Sequence, residues 1–176
     1  FNIVSNLFQD LSIFFDRNKS PDYNYVYDQV IGYGELISTT IVSNYLNEIG
    51  LKNNWLDVRE FVKTDNYYRN AKVDWKTTVS FVNNQIKEKH SVTQGFIGCT
   101  SENFTSTLGR EGSDFSAAIL AFALNADEVV IWKDVPGMMN ADPKYYSEAI
   151  SIPLHPSLSF EDQDFVVDCL KRSLEL

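Results

Sequence analysis

The sequence is short of cysteine, histidine and positive charge, and each shortage removes a class of function. Its 2 cysteines, Cys99 and Cys169, lie far apart and form no CxxC pair. That excludes a zinc ribbon or dithiol redox motif and fits reduced thiols in a cytoplasmic protein. The 2 histidines, His90 and His155, have no acidic or Cys partner at ligand spacing, so no metal is assigned and neither is given a role. Lys and Arg number 15 against 24 Asp and Glu, a net charge of -9. With no basic stripe to neutralise phosphates, a nucleic-acid partner is excluded, although local cations can still serve a small anion. No apolar run is long enough to cross a bilayer, and no signal peptide is visible, so no membrane is assigned. GxGxxG, GK[ST], a nucleophile elbow and a Ser-His-Asp order are also missing.

What is present suits one ordinary domain: 176 residues, 44% of them hydrophobic and 14% aromatic, enough to bury a core and too apolar for disorder. Phe1 stands where a starting Met would, as in a truncated or excised domain. Ile3, Val4, Leu7, Leu11, Phe14 and Phe15 recur at helical spacing, which predicts an amphipathic helix over 2–15 packed into the core. RNKSPDYN (17–24) reads as a loop. From Tyr25 a second helical pattern runs to a C-cap at Gly50. Gly32 and Gly34 interrupt it and suggest a bend or a close approach by another segment or a ligand. Trp55–Val58 reads as a short strand, 61–74 as a polar loop packed down by its aromatics, and 75–89 as a helix whose last turn, KEKH, suits the dipole.

Val92–Ile97 and Glu128–Val135 read as strands on either side of a helix over 114–126 capped by Ser113, with Cys99–Thr107 a hairpin or an exposed loop. The alternation implies an α/β fold, a layered and largely parallel sheet. PGMMNADPK (136–144) is a turn-rich loop. After Ile152 the character changes: Pro153 and Pro156 bracket a linker, and Ser159–Leu174 reads as a last amphipathic helix. The division is therefore 1–152 and 153–176.

Chemistry points to the turn Gly109-Arg110-Glu111-Gly112-Ser113-Asp114. Glycines can take positive φ and let a ligand touch the backbone. Arg110 offers a fork for a carboxylate or phosphate, and Ser113 and Asp114 open a helix whose dipole favours an anion. The same residues also describe a plain capped turn with a solvated Arg. Glu35, between glycines and an apolar helix, is placed to accept a hydrogen bond from a substrate ammonium, or simply to face solvent. Lys133-Asp134 ends a strand, where α/β sheets bind ligands.

VIGYGELIST (30–39), NNWLDVR (53–59), TQGFIG (93–98), TLGREGSD (107–114), ALNADEV (123–129) and IWKDVPGMMNADPK (131–144) resemble, in order and spacing, the catalytic domain of aspartokinases in the amino-acid kinase superfamily. The resemblance covers about residues 1–152 and implies a partial αβα sandwich. It also implies transfer of the γ-phosphoryl group of ATP to the β-carboxylate of L-aspartate, with Mg²⁺ bridging the phosphates. By motif, Glu35 would hold the aspartate amino group and Arg110 its α-carboxylate. Thr107, Ser113 and Asp114 would line that site, Asp114 in the catalytic place, and Lys133, Asp134, Met139 and Lys144 would border the nucleotide.

The departures are a missing Lys-Phe-Gly-Gly-Thr-Ser phosphate loop and a missing Gly-Ala-Lys segment, with Lys133 for a common Thr, Glu111 for a common Gly and Lys144 for a common Arg. The tail 151–174 resembles the close of DegT-type PLP sugar aminotransferases, although the cofactor lysine of such enzymes is absent. The leading reading is an aspartate kinase domain, incomplete and inactive as it stands. The alternative is a kinase-like module that binds aspartate or nucleotide, or assembles with a partner or another copy of itself, without catalysis. Kinase activity on another amino acid is a third.

Overall fold

The computed structural model describes residues 2–87 and 90–132. All but Trp132 of these belong to one compact unit. Helix α1 (Asn2–Arg17) leads into α2 (Tyr23–Glu48), followed by β1 (Asn54–Leu56), a 3-10 turn (Val58–Glu60), β2 (Lys63–Thr64) and α3 (Trp75–Gln85). Then come β3 (Ser91–Thr93), β4 (Ile97–Thr100), β5 (Thr105–Thr107) and α4 (Gly112–Leu124).

Local chemistry explains most of these boundaries. Asp22 accepts the N–H groups of Asn24 and Tyr25, so α2 starts at Tyr23 rather than at Tyr25. Its far end closes as expected at Gly50, whose φ is 96°. There the N–H groups of Gly50 and Leu51 reach back to the carbonyls of Asn47 and Leu46, the hydrogen bonds of a Schellman cap. Asp74 caps α3 through the Thr77 N–H. That helix stops at Gln85, so Lys87 lies outside it, and Glu88 and Lys89 are outside the described residues. The expected α1 stripe is half-buried at Val4, Leu7, Leu11 and Phe14, whereas Ile3 and Phe15 face out.

Three expectations change. The strand read over 92–97 is two strands, because Phe96 takes φ 70° and turns the chain between β3 and β4. The single sheet consequently divides into β1–β3, which is parallel, and β2–β4–β5, parallel at β2–β4 and antiparallel at β4–β5. β4 and β5 form the hairpin anticipated for Cys99–Thr107. β2 was hidden in the polar run 61–74: two residues with no apolar alternation, paired with Cys99 and Thr100 of β4. Finally, residues 128–132 are neither strand nor buried, with Trp132 90% exposed; among the described residues no strand lies alongside to pair with them.

α1 packs along α2, which lies over β1, β3 and β5, while α3 and α4 pack together and cover β2 and β4. The core between these layers holds Leu36, Val58, Phe61, Val62, Val82, Ile97, Leu108, Ile119 and Ala123. Among the described residues no helix is long and apolar enough to cross a membrane. The division at 152, the loop 136–144, the linker, the last helix, His155 and Cys169 lie outside the described residues.

Candidate active site at the carboxyl ends of β1 and β3

β1 and β3 run parallel with Leu56 opposite Thr93, so both strands finish at the same level. Gln94 follows, 1% exposed, and its amide ties three elements together. Its Oε1 accepts the Val58 N–H at 2.8 Å, and its Nε2 donates to Thr39 Oγ1 on α2 at 2.8 Å. Thr93, at the last position of β3, holds a buried hydroxyl with no hydrogen-bond partner among the described residues.

The next residues seat the opening of α4. A Cβ on Gly95 would lie 3.1 Å from Ser113 Cα, and one on Gly112 would lie 2.8 Å from the Phe96 ring. The Phe96 N–H donates to Ser116 Oγ and its carbonyl accepts the Leu108 N–H, both at 2.8 Å. Gly112 is therefore small because Phe96 packs on it, not to admit a ligand. Gly109 does take positive φ, 81°, but the space a Cβ would fill belongs to Asn70 Oδ1, 2.6 Å away. The second left-handed residue of the turn is Glu111, φ 60°, which stands at the N-cap of α4 without a side-chain cap bond. Ser113 consequently sits inside the first turn rather than at the cap.

The sequence-assigned residues divide by environment. Arg110 projects into solvent, its side chain 95% exposed, with Glu111 Oε1 3.9 Å from Nε. So loose a pair in water holds the guanidinium weakly and leaves its fork available. Ser113 is exposed and Asp114 half-buried in the first turn of α4, where the dipole favours a carboxylate. Glu35 is half-buried on α2, and its carboxylate has no hydrogen bond or ion pair among the described residues; burial pushes its carboxyl above the usual range. Thr107 is buried, and its hydroxyl goes to Asp28, so it offers no free donor to a ligand. Lys133, Asp134, Met139 and Lys144 lie outside the described residues.

Residues that sequence reasoning missed do the fixing. Thr39 Oγ1 donates to the Glu35 carbonyl at 2.8 Å and accepts from Gln94 Nε2 and from Trp55 Nε1, the latter at 3.0 Å. The turn of α2 bearing Glu35 is thus tied to the strand ends, and Gly95 next to Gln94 touches Ser113. Glu35 and the opening of α4 are brought to one end of the fold by this chain of contacts. Asp28, two turns ahead of Glu35 on the same helix face, was signalled only by being a carboxylate in an apolar pattern. Arg59 is not a second anion fork: it is committed to Asp57, with Nη2 2.6 Å from Oδ2, and to Thr105 Oγ1 at 3.3 Å. A cleft of about 800 Å³ opens away from these residues, between Phe14, Arg17, Lys19, Tyr25 and Phe104.

The sequence profile described as "Amino acid kinase family" matches residues 5–162. Lysine-sensitive aspartokinase 3 of Escherichia coli is 39% identical over 126 residues, 69% of this chain and 28% of that protein. The aspartokinase of Schizosaccharomyces pombe is 33% identical over 135 residues, 72% of this chain and 25% of that one. Among solved structures, E. coli aspartokinase III in complex with aspartate and ADP superposes with a TM-score of 0.78 at 33% identity, covering 86% of this chain and 35% of that one. The chain thus spans less than a third of the length of these curated relatives. A profile match over most of the length, together with this shared architecture, places the chain in the amino acid kinase family.

Proposed function

We propose that the chain is the aspartate-binding part of an aspartate kinase, whose whole reaction transfers the γ-phosphoryl group of ATP to the β-carboxylate of L-aspartate. Glu35 takes the substrate ammonium, Arg110 grips the α-carboxylate with its planar fork, and Ser113 and Asp114 border that group at the start of α4, Asp114 nearest the reacting end. Thr107 contributes by fixing the turn that follows it. With both ends of aspartate held, the β-carboxylate is left to attack the γ-phosphorus as ADP departs. Phosphoryl transfer draws its rate mainly from such positioning and from charge stabilisation.

The observation that carries this reading is Glu35: a half-buried carboxylate with no partner among the described residues, tied to the strand ends where α4 opens. An unpaired charge in that setting is costly unless a cation completes it. The E. coli relative solved with aspartate and ADP supports the same substrates. The nucleotide is assigned to Lys133, Asp134, Met139 and Lys144. Among the described residues no group of three or more His, Cys, Asp or Glu is placed to hold a metal ion.

Calorimetry with L-aspartate and with succinate, which lacks the amino group, tests the assignment. Glu35→Gln keeps the shape and removes the charge, so aspartate should weaken about tenfold while succinate hardly changes. Equal losses for both ligands would give Glu35 a structural role. The second reading is aspartate binding without transfer. ATP-dependent aspartyl hydroxamate formation by the chain separates the two, since sustained turnover excludes the second.

A further inference from the structure

We infer that Thr39 and Gln94 are positioning residues for Glu35, a side-chain clamp that fixes the carboxylate relative to the opening of α4; this rests on the role proposed for Glu35. The Thr39 hydroxyl has one proton and two lone pairs, and all three are used. It donates to the Glu35 carbonyl and accepts from Gln94 Nε2 and Trp55 Nε1 at 2.8, 2.8 and 3.0 Å. Gln94 uses its other end on the Val58 N–H at 2.8 Å. One network therefore joins α2 to the turn after β1 and to the residue after β3. Among the described residues, other side-chain bonds from α2 act at a distance along the helix: Asp28 and Gln29 reach β5 near its start, and Ser43 and Asn47 reach Asn53, just before β1, near its end. Thr39 is one helical turn from Glu35, so it governs how Glu35 faces the strand ends.

A network of this kind is rigid because its two central members, Thr39 and Gln94, each bond to at least two others and because leaving a buried donor unmade is expensive. Its consequence is specific. Loosening it should free the Glu35 turn without touching the groups that hold a carboxylate, so the loss falls on ligands that carry an ammonium. General destabilisation would instead weaken every ligand of the site alike.

The test compares wild type, Thr39→Val, Thr39→Ser and Gln94→Met by calorimetry with L-aspartate and succinate, alongside an NMR pH titration of the Glu35 carboxyl carbon. Thr39→Val keeps the shape and removes the hydroxyl; Gln94→Met breaks the clamp from the other side, should either variant fold poorly. Both should weaken L-aspartate about five- to tenfold and leave succinate within twofold, and Thr39→Ser should restore aspartate binding. The Glu35 titration, raised by burial in the wild type, should move down toward the usual carboxylate range in Thr39→Val and stay raised in Thr39→Ser. Equal losses for the two ligands, or a Glu35 titration unmoved by Thr39→Val, would overturn the clamp. Should wild type bind no aspartate, the reading of Glu35 as an ammonium partner fails, and the titration alone decides the clamp.

Discussion

Asp28 on α2 holds Thr107 on β5 twice, accepting its N–H at 2.8 Å and its hydroxyl at 2.9 Å, and takes the Arg69 N–H at 2.9 Å as well. Next to it, the Gln29 amide pairs with both backbone groups of Thr105, donating to the carbonyl at 2.7 Å and accepting the N–H at 3.0 Å. The Ala71 N–H closes the Thr107 carbonyl at 2.9 Å. A helix thus supplies, through side chains, the hydrogen bonds that a further strand would give the open edge of β5. Asp28→Ala leaves two N–H groups and a hydroxyl without their acceptor, all but the Arg69 N–H deep in the fold. At about 1–3 kcal/mol for a buried unsatisfied group, a loss of roughly 3 kcal/mol is expected in urea denaturation. Thr107→Val, which removes only the hydroxyl, should cost about 1 kcal/mol.

The same carboxylate sets a pH dependence. Burial raises Asp28 above its ordinary value, and the hydrogen bonds from Arg69 and Thr107 only partly offset this. With the folded value above the unfolded one, the folded state binds more protons between the two, so this residue's contribution to stability falls as pH rises through that interval. Glu35, also raised by burial, acts in the same sense. Asp28→Asn should flatten that part of the stability profile in the acid range. A profile with the wild-type slope would show that Asp28 is not what titrates there.

Two glycines two residues apart on α2, and so on opposite sides of it, make opposite predictions. A Cβ on Gly32 would come within 2.8 Å of Thr105 Cγ2, whereas one on Gly34 would meet nothing within 4 Å. Gly32→Ala should therefore destabilise by about 1–3 kcal/mol through overpacking, less what the helix gains. Gly34→Ala should stabilise by up to about 1 kcal/mol through the helix preference for alanine. Thermal melts of both variants check the pair.

Why one glycine is needed and the other is not could not be read from the sequence, which shows two glycines in an apolar helix and nothing of Thr105. The helices themselves were legible, because apolar spacing and Gly50 are local signals. The break at Phe96 was not: a left-handed aromatic residue is held there by Ser116 and Leu108, distant in the chain. Arg110 and Ser113 were assigned through their motif, and they stand at the opening of α4. Thr39, Gln94 and Asp28 were passed over, since hydrogen bonds spanning 55 and 79 residues leave no local pattern.

Glu111 occupies a left-handed position, φ 60° and ψ 23°, without a compensating cap bond. For a residue with a Cβ this conformation costs on the order of 1 kcal/mol, and glycine adopts it freely. Glu111→Gly should therefore stabilise by about 0.5–1 kcal/mol after glycine's greater freedom in the unfolded chain is subtracted. Glu111→Ala should gain nothing, because it keeps the Cβ. A stabilising alanine would place the strain elsewhere, in the like charges of Glu111 and Asp114.

Arg110 has a side chain 95% exposed. Among the described residues no buried group holds the guanidinium, so Arg110→Ala should leave the melting temperature within about one degree, as for other surface changes. Binding should respond differently. A bidentate, charge-assisted contact to a carboxylate is directional, so L-aspartate and succinate should both weaken tenfold or more in Arg110→Ala. Arg110→Lys should recover little, because an ammonium cannot reproduce two parallel N–H donors. This pattern is the reverse of that for Glu35→Gln, which spares succinate: one residue reads the carboxylate that both ligands share, the other the ammonium that only aspartate has. Unchanged affinities in Arg110→Ala, measured by calorimetry on a folded variant, would remove Arg110 from the site.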